Sequence, residues 1–226
     1  MRGTIYGVGV GPGDPELMTL KAVRLIRENR FIALPSEEPR NSLAYRIAVQ
    51  AAPELAEKEL IAVHMPMVRD REKLREAHKA GAKQLMEIAE TGENVVFLTL
   101  GDPTVYCTFS YLQHILEAEG YPVALVSGVT SFCAAAARLN LPLAEWDEPI
   151  HILPAAHKTE DKLDLEGSYV LMKSASHMRE VKAMLAAGGK KAQAVIDCGL
   201  PTEQVCRSLE EIPEDAGYFS LIIAKE

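Results

Sequence analysis

The sequence predicts a two-domain α/β protein, with an N-terminal parallel sheet carrying helices on both faces and a C-terminal mixed sheet. Three observations lead there. Val95-Val96-Phe97-Leu98-Thr99-Leu100 is uncharged and rich in β-branched and apolar residues, as a strand buried on both faces must be. Strand-like and helix-like stretches alternate over roughly the first 130 residues, the pattern of a parallel sheet. After Leu141 the texture changes, and the remainder carries more strand and less helix. The expected domains are residues 1–127 and 128–226.

Taken in order, Thr4 to Val10 is the first strand and runs into Gly11-Pro12-Gly13-Asp14-Pro15. Glycines at 7, 9, 11 and 13 imitate a dinucleotide fingerprint, but Pro12 and Pro15 remove the N–H donors such a loop needs. No GK[ST] follows, so it is not a P-loop. The expectation is a rigid loop over a cleft. Thr19 caps a helix through Glu28 with Leu20, Val23, Leu25 and Ile26 inward. Phe31 to Leu34 is a strand followed by a polar loop, Ser42 to Val49 a helix, and Glu59 to Val63 a strand. Arg71 to Thr91 is a long amphipathic helix leading into the central strand. Gly101-Asp102-Pro103 stops that strand, because proline cannot donate to a ladder. Phe109 to Glu119 is a helix, Pro122 to Val126 the fifth strand, and Phe132 to Leu139 an Ala-rich helix opened by Ser127-Gly128-Val129-Thr130-Ser131. In the second half, His151–Pro154, Ser168–Met172, Gln193–Cys198 and Gly217–Ala224 read as strands and Ser176–Ala187 as a helix.

Ligands of open α/β sheets bind beyond the carboxyl ends of the strands, which puts Asp102, Thr104 and Tyr106 where a ligand would stand. Composition narrows the classes. With 24 basic and 32 acidic residues the net charge is −8, against a general nucleic-acid binder. No apolar run approaches the ~20 residues of a membrane span, and nothing at the start reads as a signal peptide. Cys107, Cys133, Cys198 and Cys206 form no CxxC, and three lie among apolar or small residues. Buried, reduced thiols in a cytoplasmic protein are expected. The six histidines show no zinc-ligand spacing, so no metal is expected.

GVGVGPGDPELMTLKA, GDPTVY and SGVTSFCAAAARLNLPLAE, in this order, resemble the tetrapyrrole methylases, a family of S-adenosylmethionine-dependent methyltransferases. SLAYRIA (42–48), PMVRD (66–70) and GDPTVYCTFSYL are similar to the branch that methylates C20 of precorrin-2 or cobalt-factor II. Ser127 departs from the family's commoner proline. The resemblance implies a cofactor in the cleft between the domains, S-adenosylhomocysteine as product, a small-molecule tetrapyrrole substrate, and a homodimer. By position it assigns cofactor contacts to Pro12, Leu100, Gly101, Asp102, Val105, Tyr106, Thr130, Ser131, Met172, Leu200, Ser220 and Leu221.

Methyl transfer from a sulfonium is an in-line displacement helped mainly by positioning, so no nucleophile–base pair is required. Two roles are open to Asp102: a general base for the ring proton, or an anchor for its own loop through backbone N–H groups. Tyr106 and Tyr218 either orient the ring or pack in the core, and Lys173 either meets a substrate carboxylate or is surface. Arg40, Arg69, His157 and Lys158 are the other candidate cations. The alternatives are methylation at another ring carbon, methylation of a protein substrate, and a non-catalytic S-adenosylmethionine-binding domain.

Overall fold

The computed structural model describes residues 1–68, 70–155, 165–174 and 177–225. The chain forms two compact units, Met1–Thr130 and Ser131–Glu226.

The first unit is built on five strands: β1 (Ile5–Gly9), β2 (Phe31–Leu34), β3 (Glu59–Ala62), β4 (Val95–Thr99) and β5 (Val123–Val126). They lie in the order β3-β2-β4-β1-β5, and every pairing is parallel. β4 is the middle strand and all five of its residues are buried, as its uncharged sequence requires. Its side chains divide between two cores by simple alternation. Val96 and Leu98 join Ile32, Leu34 and the apolar faces of α1 (Leu20–Glu28) and α2 (Leu43–Ala51). Val95 and Phe97 join Ala33 and the faces of α3 (Arg71–Glu90) and α4 (Phe109–Ala118). Helices therefore cover both faces of the sheet.

Three of the four described α-helices of this unit start at a side-chain cap. Thr19, Ser42 and Asp70 accept N–H groups from the first turns of α1, α2 and α3. Leu20 corrects the expectation for α1: it is 89% exposed, because it is the first helical residue and projects before the buried stripe begins at Ala22.

The second unit opens with α5 (Ser131–Leu139) and continues with β6 (Ile150–Pro154), β7 (Ser168–Met172), α6 (Met178–Ala187), β8 (Lys191–Ile196), β9 (Gln204–Cys206) and β10 (Ser220–Lys225). The order is β6-β7-β10-β8-β9. Only β6–β7 is parallel, so this sheet is mixed. Met178, Val181 and Leu185 of α6 cover one face through Tyr169, Leu171, Ile222 and Ile196, and α5 packs on β8 and β10. The short edge strand β9 had no expectation: Gln-Val-Cys is too brief to show alternation. All four cysteines are free thiols. Cys198 and Cys206 are buried and Cys107 partly so, but Cys133 is exposed, because α5 turns it away from Phe132 and Ala134–Ala136.

Candidate functional site

In the first unit the loops after β1, β4 and β5 meet at the carboxyl ends of three adjacent strands. The main chain itself makes the contact. Gly101 N–H donates to Gly11 O (2.8 Å) and Gly11 N–H to Gly101 O (3.2 Å). A β-carbon on Gly9 would lie 2.3 Å from Gly101 O, and one on Gly128 only 2.1 Å from it. Gly9 and Gly128 are therefore glycine for close approach, while Gly101 has a φ of 63° that L side chains seldom adopt.

Asp102 locks this node. It is 8% exposed, and its carboxylate spans two loops. Oδ1 accepts the Thr104 N–H (2.7 Å) and the Thr104 hydroxyl, and Oδ2 accepts the Gly128 N–H (3.0 Å). The anchoring role is thus present in the structure. Val105 N–H caps the turn on Asp102 O (3.3 Å). Tyr106 follows with a φ of 47° and is 46% exposed, so its ring is not core. Cys107 Sγ lies 3.1 Å from Thr99 Oγ1 and accepts the Phe109 N–H at 3.3 Å, which folds the loop back onto β4. Leu100 and Pro12 are half-buried at the same end. Thr130, last residue of the third loop, has a buried Oγ1 with no hydrogen-bond partner. A buried hydroxyl without a partner is costly unless a ligand meets it.

The candidates of the second unit gather at one end of its own sheet. Met172 ends β7 opposite Leu221 of β10, and Ser220 pairs with Ile196 at the end of β8. Lys173 (φ 60°) and Asp197 (φ 52°) follow β7 and β8 in left-handed conformations, a strain that clusters at functional sites. Asp197 was not singled out from sequence, since nothing in a single aspartate after a strand announces its φ. It shapes the next loop: Leu200 N–H donates to its carbonyl (2.9 Å) and Thr202 Oγ1 to its Oδ2 (2.8 Å). Glu203 fastens that loop, accepting the Gly199 N–H (2.7 Å) and Arg138 Nε (2.7 Å) from α5. Burial pushes the Glu203 carboxyl up, but the bonds from Arg138 and Gly199 and the Arg138 charge outweigh it and hold the group below the ordinary carboxylate value. The Ser220 hydroxyl donates to Gly217 O (2.6 Å), and Leu221 is buried. Tyr218 is 48% exposed, edge-on to Phe219, and so not core either. Ser131 stands apart from the Leu200 loop, at the opposite end of α5 from Arg138, about 10 Å along the axis.

Arg69, His157 and Lys158 lie outside the described residues. Among the described residues no group of three or more His, Cys, Asp or Glu is placed to hold a metal ion. No described helix is long and apolar enough to cross a membrane.

Comparison with known proteins agrees with this architecture. Residues 4–213 match the family described as Tetrapyrrole (Corrin/Porphyrin) Methylases. The chain is 37% identical over 171 residues to a probable cobalt-precorrin-2 C(20)-methyltransferase of Methanocaldococcus jannaschii, covering 75% of this chain and 72% of that one. It is 32% identical to the cobalt-precorrin-2 C(20)-methyltransferase of Salmonella typhimurium over 100% of this chain and 98% of the other. Among solved structures, uroporphyrin-III C-methyltransferase of Thermus thermophilus, complexed with S-adenosyl homocysteine, has the same fold with a TM-score of 0.73 at 24% identity, covering 99% and 92% of the two chains. With the three-loop node, the two kinds of sheet and a match across nearly the whole sequence, the chain belongs to the tetrapyrrole (corrin/porphyrin) methylases.

Proposed function

We propose that this protein is an S-adenosylmethionine-dependent methyltransferase that methylates C20 of precorrin-2 or of its cobalt-bearing counterpart, cobalt-factor II. The similarity to cobalt-precorrin-2 C(20)-methyltransferases over most of the chain carries the choice of substrate and carbon. The three-loop node carries the choice of cofactor seat.

The residues present suit that cofactor. Thr130 offers a buried hydroxyl with an unmet hydrogen bond. Gly101 and its neighbours offer main-chain polar atoms at strand ends, and Leu100, Val105 and Pro12 supply apolar, half-buried walls. When bound, S-adenosylmethionine supplies an electrophilic methyl group on a sulfonium centre. Pro12, Leu100, Gly101, Asp102, Val105, Tyr106 and Thr130 hold it in the first unit; Ser131, Met172, Leu200, Ser220 and Leu221 are the contacts proposed in the second. Carbonyl oxygens of the 100–103 turn face the positive charge. Asp102 keeps the turn in place. Of its roughly four lone-pair sites three are occupied, leaving one to accept the proton that the ring carbon releases. Tyr106 and Tyr218, each about half exposed, orient the ring, and Lys173 meets a substrate carboxylate.

The protein works as a homodimer in the cytoplasm, a reading supported by the family resemblance and by four free thiols. Sedimentation at micromolar concentration tests the dimer. Incubation with methyl-labelled S-adenosylmethionine and precorrin-2 or cobalt-factor II, side by side, tests the reaction. One label at C20 is expected. Label at another carbon overturns the regiochemistry, and cofactor binding without turnover of either substrate overturns catalysis.

A further inference from the structure

The loop after β2 and strand β3 frame a pocket of 350 Å³ that the cofactor node does not use, lined by Glu38, Pro39, Arg40, Asn41, Leu60 and Ala62. Pro39, Leu60 and Ala62 give it an apolar lining, and Arg40 is the one cation among its lining residues. Arg40 is held in a fixed pose: one terminal nitrogen donates to Tyr45 Oη (2.8 Å) and the other to Ala56 O (3.1 Å), with the guanidinium 5.7 Å from the Tyr45 ring centre. Both acceptors are neutral. Arg2, Arg24, Arg27 and Arg30 of the same unit each pair with a glutamate. Arg40 has no carboxylate partner among the described residues, although Glu38 shares the pocket, because the Glu38 carboxylate is taken by Asn41 Nδ2. The three remaining N–H groups of the guanidinium are therefore available to an anion. A cation oriented by neutral groups is prepared for charge-assisted, fork-like bonds to a carboxylate.

Position fixes what kind of molecule brings that carboxylate. β2 is the neighbour of β4, and β3 is the next strand out. At about 4.8 Å per strand, the β3 side of the pocket is offset laterally by roughly 10 Å from β4, the strand that ends at the Gly101–Asp102 turn. A ligand reaching both is broad and carries anions on its rim. Resting on the function proposed above, we infer that Arg40 and the pocket behind it bind a peripheral carboxylate of the tetrapyrrole and set the ring's orientation over the cofactor seat.

The test uses the full chain and two binding measurements that need no turnover. Uroporphyrin III, a tetrapyrrole ringed with carboxylates, is titrated and followed by absorbance. S-adenosylhomocysteine is titrated by calorimetry. Arg40→Gln keeps a donor towards Tyr45 and Ala56 but removes the charge. It should weaken porphyrin binding roughly tenfold or more and flatten its salt dependence, with S-adenosylhomocysteine affinity within about twofold of wild type. Arg40→Lys should recover part of the loss, and Arg24→Ala, an equal charge change on α1, should bind porphyrin as wild type does. Unchanged porphyrin affinity in Arg40→Gln overturns the inference, as does wild-type protein that does not bind the porphyrin. Equal loss of both ligands also overturns it, because the damage is then to the fold. Arg40-dependent porphyrin binding without methyl transfer to either precorrin-2 or cobalt-factor II leaves the carboxylate site standing and refutes the enzymatic reading instead.

Discussion

Gly128→Ala is the sharpest test of the three-loop node. A methyl group there would stand 2.1 Å from Gly101 O and 2.9 Å from Gly9 C. Ordinary C···O contacts begin near 3.3 Å, so the two loops must part by about 1.2 Å. Neither can yield alone. Gly101 is bonded to Gly11 in both directions, and Gly128 N–H is bonded to Asp102. Overpacking costs roughly 1–3 kcal/mol, and losing a hydrogen bond to a buried charged group about 1.5–3 more. We expect a destabilisation of roughly 3–5 kcal/mol, or a melting temperature lower by about 6–20 °C for a chain of this size. Gly128 is not left-handed, so alanine brings no backbone strain and the effect is steric. Circular dichroism melts measure it, with and without S-adenosylhomocysteine. A fall of less than about 2 °C, with ligand stabilisation intact, would show that the loops do not touch as described.

Three further outcomes follow from the same geometry. Asp102→Asn turns an amide N–H₂ towards donors that now meet a carboxylate, and should cost roughly 1.5–3 kcal/mol in urea unfolding; unchanged kcat in the folded variant would refute its part in proton removal. Thr130→Val removes a buried hydroxyl that has no partner in the protein; it should leave the unliganded protein as stable or more so, yet weaken S-adenosylhomocysteine binding about tenfold, some 1.4 kcal/mol. Equal affinity in a calorimeter would remove Thr130 from the contact set. For Glu203 the folded pKa lies below the ordinary 4.5, so the folded state binds fewer protons than the unfolded one. Its contribution is complete above that range and disappears as pH falls through the lowered value. Glu203→Gln should therefore flatten the acid limb of stability as pH falls below the ordinary 4.5, and an unchanged limb in urea titrations would exclude the assignment.

Much of this was legible in the residues because local chemistry and tertiary fold agree. β4 announces itself by six uncharged residues and a Gly-Asp-Pro stop, and Thr19 by capping a helix whose buried stripe follows. Leu20 misleads because a periodic pattern does not mark where burial starts along a helix. Asp102 was visible as a candidate, but its two-loop bonding depends on strand order, and parallel neighbours are not contiguous in sequence. The same holds for Arg138 and Glu203, 65 positions apart. Left-handed Lys173 and Asp197 carry no compositional mark, since non-glycine residues take that conformation under tertiary constraint. Arg40 looked like any loop arginine until its acceptors proved neutral.

The meeting of Gly9, Gly101 and Gly128 also bears on how such a protein can change. Where peptide planes abut, mutation has no graded dial: any larger residue obstructs, and no smaller one exists. Novelty in what the first unit accepts must therefore arise at its periphery, around Pro39, Leu60 and Ala62, where side chains still have latitude. An engineer seeking a new acceptor should randomise that rim and leave the hub untouched.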